Sequence, residues 1–116
     1  MNDWLEETFN KQLRTQERIR NVLTVNDLPN VVDTYGAATG MIIEIGEMLQ
    51  SDTRWKSKIT GSVKRPFYDK EQFLEEMADV FIYFMNVMIY SGTNLNDFKN
   101  AVVSKQNIVK ERFNVQ

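Results

Sequence analysis

The chain has 116 residues, which suits a single domain spanning 1–116, and its formal net charge of −2 argues against a general nucleic-acid binder, because such proteins are usually basic. It contains neither cysteine nor histidine, which excludes a disulfide framework, a thiolate nucleophile, a Ser-His-Asp triad and the usual zinc and di-iron sites. Acid–base chemistry in this chain must therefore use carboxylates, lysine, tyrosine or metal-bound water.

The N-terminus is polar and charged, so no signal peptide is predicted. The most apolar run without formal charge, Val80 to Ser91, is twelve residues long, whereas a membrane-spanning helix needs about 18 or more. We expect a soluble cytoplasmic protein with no membrane partner.

The first predicted helix begins after Asp3, a suitable N-cap, and runs to about Val22 or Leu23. Gln12 and Gln16 border its apolar stripe. We interpret Gln16 as a polar residue at the boundary of the packed face, and we keep a functional role open for Gln12.

A turn over 24–30 leads into a second helix, predicted from about Val31 to Gln50. Glu44 and Glu47 lie three residues apart in this helix and so share one face. Glycine inside a helix costs up to about 1 kcal/mol relative to alanine, so several glycines suggest that another helix approaches closely. These glycines are Gly36, Gly40 and Gly46. The alternative is a break in the helix near Gly36 and Gly40.

The stretch from Ser51 to Tyr68 is the longest irregular segment, and it joins the two acid-bearing helices. A run of charges is usually a solvated loop, but a loop longer than about 12–15 residues in a compact domain is usually functional or disordered. A role in ligand binding therefore stays open. The cations of this segment are Arg54, Lys56, Lys58, Lys64 and Arg65.

The third predicted helix runs from about Lys70 to Ser91, with Asp69 and Gln72 as its cap and Gly92 as its stop. Its polar side chains form a stripe too narrow to be a solvated face, so we expect a buried helix whose acids point into an internal site. The stripe consists of Glu76, Asp79, Tyr83, Asn86 and Tyr90.

A fourth helix is predicted to begin at Asn94 or Asn96 and to end near Arg112. Lys105 and Arg112 are seven residues apart and project from one face of it. No stretch has convincing strand periodicity. The predicted fold class is therefore all-α, a four- to five-helix bundle with the active site between helices 2 and 3.

Two apolar helices that each carry an acid pair predict a metal site. Buried carboxylates repel one another unless a cation is shared, and the hard cations Mg²⁺ and Mn²⁺ prefer carboxylate oxygens. The alternative is that the acids pair with lysine or arginine across the bundle, which we favour less because the neighbouring positions are apolar. The predicted metal ligands are Glu44, Glu47, Glu76 and Asp79.

The two ordered acid pairs resemble those of the all-α nucleoside triphosphate pyrophosphohydrolases, the superfamily of the MazG-like enzymes, the dCTP pyrophosphatases and the dimeric dUTPases. One departure is Ile43, which stands where the first motif often has a further glutamate. The stretches similar to that superfamily are 44–47, 74–80 and 91–113, together with Phe9, Gln12 and the Trp55-Lys56 pair.

The resemblance implies a MazG-like bundle and Mg²⁺-dependent hydrolysis of a nucleoside triphosphate to a monophosphate and pyrophosphate, with dUTP favoured first and dCTP second. The four acids would be catalytic as well as metal ligands, with Glu44 or Glu47 also positioning the attacking water. The residues expected to contact phosphates are Lys56, Lys105 and Arg112. The residues expected to contact the base or sugar are Gln12, Trp55 and Asn86.

Simpler interpretations stay open for these contact residues: the three cations could be solvated, Trp55 could serve packing, and Asn86 could bond a neighbouring helix. We also expect a homo-oligomer, a dimer or tetramer, because long helices on so short a chain leave much apolar surface for a partner subunit. The rival functional class is a non-catalytic helical dimerisation or regulatory protein that retains the scaffold.

Overall fold

The computed structural model describes residues 3–55 and 67–115, and within those ranges the chain is all-helical. No described helix is long and apolar enough to cross a membrane. The strand-like pairing in the described ranges is a single isolated bridge between Asp52 and Tyr68. The predicted all-α class is confirmed. The helices are α1 (Trp4–Arg20), a 3-10 turn (Val25–Asp27), α2 (Val31–Gln50), α3 (Lys70–Ser91) and α4 (Leu95–Arg112).

Each helix begins where a short polar side chain accepts a hydrogen bond from an otherwise unpaired backbone N–H. Asp3 accepts from the N–H of Glu6 at 3.0 Å and Asp69 from that of Gln72 at 3.1 Å. Asn94 plays the same role for α4. These caps agree with the sequence predictions, and α2 starts after Asn30, which caps it in the same way.

The helix ends also follow from local chemistry. Gly92 ends α3 with a φ of 74°, a left-handed conformation that glycine adopts without steric cost. The first helix ends at Arg20, two or three residues earlier than predicted, because Asn21 turns left-handed with a φ of 56°. The alternative of a break near Gly36 and Gly40 is not adopted, since α2 is continuous.

Helices α2 and α3 lie side by side and antiparallel. At one end the N–H of Asn30 donates to the carbonyl of Tyr90 at 2.8 Å, and at the other Glu47 lies beside Glu76. Between these points the ring of Tyr83 occupies the space that a Cβ at Gly40 would fill. Of the three glycines that suggested a close helix approach, only Gly40 lies at one in the described structure, between α2 and α3 of the same chain. An added Cβ at Gly36 or Gly46 would meet no described atom within 4 Å.

The core lies at one end of the helix pair, where α1 and the start of α4 pack against the second half of α3. Half-buried Phe84 and Phe98 extend it, with ring centroids 5.1 Å apart. The buried apolar residues of the described chain are Phe9, Leu28, Ala37, Met85, Met88, Ile89 and Tyr90.

The acid-bearing end differs from the buried environment that we expected. Ile42, Ile43 and Met77 are 69%, 57% and 42% exposed in the single chain. The reason is that the main helix contacts are those of α3 with α2 and with α1, so the outer side of α2 has no neighbouring helix among the described residues. The second half of α4 is also uncovered, since residues 100–115 are all exposed.

Candidate metal centre

Three of the four predicted ligands converge where the end of α2 lies beside the start of α3. Glu44, Glu47 and Glu76 each offer a carboxylate oxygen, and these oxygens lie within 4.8 Å of one another. That separation is close to the one that the ligands of a single divalent ion need. The helix spacing explains why the three carboxylates converge. Glu44 and Glu47 are one turn apart, so they lie on the same face of α2, and this face is turned towards Glu76 on the antiparallel α3.

Asp79, the fourth predicted ligand, lies one turn further along α3 and is half-buried. It does not belong to the group of three converging oxygens. Its negative charge nevertheless raises the pKa of both Glu44 and Glu76, so it contributes to the same electrostatic site. Its role as a metal ligand stays a prediction.

The cluster is electrostatically strained when no cation is bound. Burial raises the pKa of Glu44 to about 7, and the charge of Glu47, a hydrogen bond with Glu47 and the charges of Asp79 and Glu76 add to the effect. Burial also raises the pKa of Glu76, again reinforced by the charges of Glu47 and Asp79. Like charges held close together in a partly desolvated place favour protonation, and a cation would remove the cause.

Two oxygens of the cluster have unmet bonding capacity. Oε2 of Glu44 and Oε2 of Glu76 are buried and accept no hydrogen bond from any described residue, although buried polar atoms are nearly always paired. The ion pairs within the described residues are Arg14–Glu17, Arg20–Asp33, Arg54–Asp52 and Lys99–Asp3. None of them involves the cluster, so the described chain does not supply the lysine or arginine partners of the alternative interpretation.

Among the described residues, neither Lys105 nor Arg112 forms an ion pair with this cluster. Both lie on the exposed second half of α4. Lys56 lies outside the described residues. Arg54 is a cation of the segment between the two acid-bearing helices. Its Nε donates to Oδ1 of Asp52 at 2.8 Å, and its Cζ lies over the ring of Tyr68, 3.8 Å from the ring centroid.

The predicted base- and sugar-contacting residues lie in two different places in the structure. Nε2 of Gln12 donates to Oδ1 of Asn86 at 2.8 Å, which joins α1 to α3. The indole N–H of Trp55 donates to the carbonyl of Leu49 at 3.1 Å, near the end of α2. The bond between Gln12 and Asn86 is the contact with a neighbouring helix that the simpler interpretation of Asn86 expected, and the binding role of both residues stays a prediction. Trp55 lies at the acid-bearing end.

The sequence analysis did not predict a second polar group, which links α1, α2 and α3. The hydroxyl of Tyr90 donates to Oε1 of the buried Gln16 and accepts from Nε of Arg20 at 3.2 Å. Arg20 in turn binds Oδ1 of Asp33 on α2 at 2.6 Å. The available signal was the stripe on α3 that contains Tyr83, Asn86 and Tyr90 at helical spacing.

Comparison with known proteins does not assign this chain to a family. No family model matches it, and neither a curated protein nor a solved structure shows significant similarity to it.

Proposed function

We propose that the chain is a Mg²⁺-dependent nucleoside triphosphate pyrophosphohydrolase that releases a monophosphate and pyrophosphate, with dUTP preferred first and dCTP second. The observation that carries this proposal is the convergence of Glu44, Glu47 and Glu76. Glu44 and Glu76 each have a buried oxygen that accepts no hydrogen bond within the described part of the chain. The resemblance of the acid motifs to the MazG-like and dUTPase-like enzymes supplies the reaction class.

The residues present fit a divalent cation. Glu44, Glu47 and Glu76 would hold the cation. The negative charge of Asp79 interacts with that of Glu44 and adds to the negative potential of the site. Carboxylate oxygens are the ligands that Mg²⁺ and Mn²⁺ prefer. When bound, such an ion neutralises phosphate charge and lowers the pKa of a bound water. Zinc and di-iron sites do not fit, because the chain has neither histidine nor cysteine.

The carboxylates themselves can move the proton that hydrolysis releases. Glu47 is exposed and therefore accessible to water, and Glu44 lies beside it in the cluster. A cluster carboxylate that does not bind the metal can act as a general base, so no histidine is needed. Glu44 and Glu47 are thus the residues proposed to position the attacking water and accept its proton.

The test is a panel of nucleoside triphosphates with Mg²⁺, in which pyrophosphate and orthophosphate are measured separately. We expect pyrophosphate from deoxynucleotides, fastest from dUTP, and none when a chelator removes the metal. Orthophosphate as the primary product would overturn the reaction class. Equal rates on all common nucleotides would leave the reaction standing and remove the pyrimidine preference. Metal binding with no hydrolysis of any nucleotide would favour the rival, a non-catalytic helical module.

A further inference from the structure

Hydrogen bonds fasten the segment that follows α2 to the segment that precedes α3. The N–H of Thr53 donates to the carbonyl of Phe67 at 2.7 Å, and the N–H of Phe67 donates to Oγ1 of Thr53 at 2.7 Å. The N–H of Asp69 donates to the carbonyl of Ser51 at 3.1 Å. We call these paired segments the register clamp. The register clamp consists of residues 51–54 and 67–69.

A charged side chain ties the two halves of the register clamp together. Nε and Nη2 of Arg54 donate to Oδ1 and Oδ2 of Asp52 at 2.8 and 2.9 Å, the two-bond geometry of a strong arginine–carboxylate pair. The Cζ of Arg54 also lies over the ring of Tyr68, 3.8 Å from the ring centroid. Asp52 and Tyr68 are themselves bridge partners. The charge of Arg54 is therefore already paired inside the clamp.

The register clamp is continuous with both helices. Ser51 is 1% exposed, and its Oγ donates to the carbonyl of Met48 in the last turn of α2 at 2.7 Å. Asp69 caps α3 by accepting from the N–H of Gln72 at 3.1 Å. A shift of either half of the clamp would therefore move the helix to which it is bonded.

The register clamp aligns the two antiparallel helices at the level of the acid cluster. Ser51 is hydrogen-bonded to Asp69. Glu44 lies seven residues before Ser51 on α2, and Glu76 lies seven residues after Asp69 on α3. At the rise of an α-helix each of these carboxylates is about 10 Å from the clamp along its own helix. The bond between Ser51 and Asp69 thus places Glu44 level with Glu76.

The opposite end of the helix pair has the same alignment. There the N–H of Asn30 donates to the carbonyl of Tyr90 at 2.8 Å. Asn30 lies fourteen residues before Glu44, and Tyr90 lies fourteen residues after Glu76. The two carboxylates are therefore level with each other between two hydrogen-bonded fixed points, and the register clamp is the nearer of the two.

A metal site depends on this alignment more than the fold does. A divalent cation needs its oxygen ligands at about 2.0–2.6 Å, so a small displacement of one helix along the other lowers its affinity. We infer that the register clamp positions Glu44 and Glu76 for a divalent cation, with Thr53 and Arg54 as positioning residues. This inference rests on the metal centre of the proposed function and gives Arg54 a role other than phosphate binding.

The test measures the affinity of the full chain for Mn²⁺ by electron paramagnetic resonance, without nucleotide, so the result does not depend on hydrolysis. Thr53→Val keeps the shape of the side chain and removes the hydroxyl that accepts from Phe67, and it should weaken Mn²⁺ binding at least fivefold. Thr53→Ser keeps the hydroxyl and should stay within twofold of the wild type. Circular dichroism at the temperature of the measurement checks that each variant is folded.

Arg54→Gln separates positioning from charge by the sign of its effect. Removal of a positive charge near an acid cluster should, by Coulomb interaction alone, leave the Mn²⁺ affinity unchanged or raise it. If Arg54 positions the ligands, the substitution should instead weaken Mn²⁺ binding at least threefold. The matched control Lys70→Gln removes the same charge from an exposed position at the start of α3, outside the clamp, and should not weaken binding.

Equal Mn²⁺ affinity of the wild type and Arg54→Gln would overturn the inference and leave the metal centre standing. Equal weakening by Thr53→Val and Thr53→Ser would also overturn it, because the hydroxyl would then play no part. A wild type that binds no Mn²⁺ would overturn both the clamp and the proposed function. Mn²⁺ binding that depends on the clamp, without hydrolysis of any nucleotide, would support the clamp and contradict the enzyme.

Discussion

At the scale of single residues, the cluster is defined by carboxyl groups for which residues 3–55 and 67–115 supply too few partners. Glu44 and Glu76 each have one buried oxygen with no hydrogen bond from these residues, and burial raises the pKa of both. A folded protein tolerates such a place when a bound cation repays the cost. The apo state should therefore be sensitive to pH and to divalent metal.

The free energy of unfolding of the metal-free protein should decrease as the pH rises from about 4.5 to about 7. The carboxyl of Glu44 has an ordinary pKa of 4.5 and a folded-state pKa of about 7, so between these values the folded state binds more protons than the unfolded state. Stability then falls with rising pH. Urea unfolding in a chelating buffer at pH 5 and pH 7.5 measures it.

Glu44→Gln is the matched control for that pH dependence. An amide at position 44 does not titrate in this range, so the free energy of unfolding of the variant should change less with pH than that of the wild type. Asp3 and Asp52 do not interfere, since hydrogen bonds from Lys99 and Arg54 lower their pKa values below 3.8 and their loss of stability lies at lower pH. Stability of the wild type that increases from pH 5 to pH 7.5 would contradict the assignment.

Mg²⁺ should raise the melting temperature of the wild type but not that of Glu76→Gln. The substitution removes one charge from the cluster, so it weakens metal binding and also relieves repulsion. Without metal the variant should be at least as stable as the wild type. Differential scanning fluorimetry with and without Mg²⁺ measures both effects.

Glu75→Gln is the matched control, because Glu75 is the exposed neighbour of Glu76 on the same helix and does not belong to the cluster. It should keep the full response to Mg²⁺. A Glu76→Gln protein that unfolds readily in metal-free buffer would show that the carboxylate is a structural partner.

At the scale of elements, local chemistry carried much of the prediction. The bounds of α2 and α3 agree with the predicted ones. For α3 the reason is that Asp69 and Gly92 are strong start and stop signals. The end of α1 was missed because Asn21 can continue a helix or turn left-handed, and only the structure shows which.

The site was also predictable only in part. Helical spacing placed Glu44 and Glu47 on one face of α2. The register of α2 against α3 decides that Glu76, and not Asp79, converges with them, and this register depends on the contact of Gly40 with Tyr83. Burial around the acids was overestimated, because the apolar pattern of α2 does not say whether its outer side meets the same chain or another one.

Substitution of Gly40 by alanine should destabilise the protein by about 1–3 kcal/mol, the usual cost of an overpacked contact, because the new Cβ would overlap the ring of Tyr83. The matched variant Gly46→Ala, with nothing within 4 Å of its added methyl, should stabilise the helix by up to about 1 kcal/mol. Chemical denaturation at low protein concentration compares them. A Gly40→Ala protein as stable as Gly46→Ala would refute the described packing of α2 on α3.

At the scale of the whole molecule, the single chain exposes more apolar surface than its size requires. On α2, Tyr35 and Ile42 are each 69% exposed. Ile108 on α4 is 50% exposed, and Phe113, directly after α4, is 69% exposed. The radius of gyration is 17.6 Å, against about 13 Å for a compact chain of this length. These features support the proposal of a homo-oligomer in which a second copy covers part of this surface.

Sedimentation velocity at micromolar concentration should therefore detect at least a dimer. A charge placed on an exposed apolar face, as in Tyr35→Lys or Ile108→Lys, should shift the distribution towards monomer by at least tenfold in dissociation constant. The control Lys11→Glu changes an exposed polar position of α1 and should leave the distribution unchanged. A stable monomer with full activity would contradict the oligomer.

The proposed hydrolysis of a nucleoside triphosphate to a monophosphate and pyrophosphate at the carboxylate cluster is tested most directly by ³¹P NMR of dUTP with Mg²⁺. We expect monophosphate and pyrophosphate resonances to grow in equal amounts with no orthophosphate. Glu47→Gln should produce neither product, while Glu75→Gln should match the wild type. Growth of nucleoside diphosphate and orthophosphate, or undiminished turnover by Glu47→Gln, would contradict it.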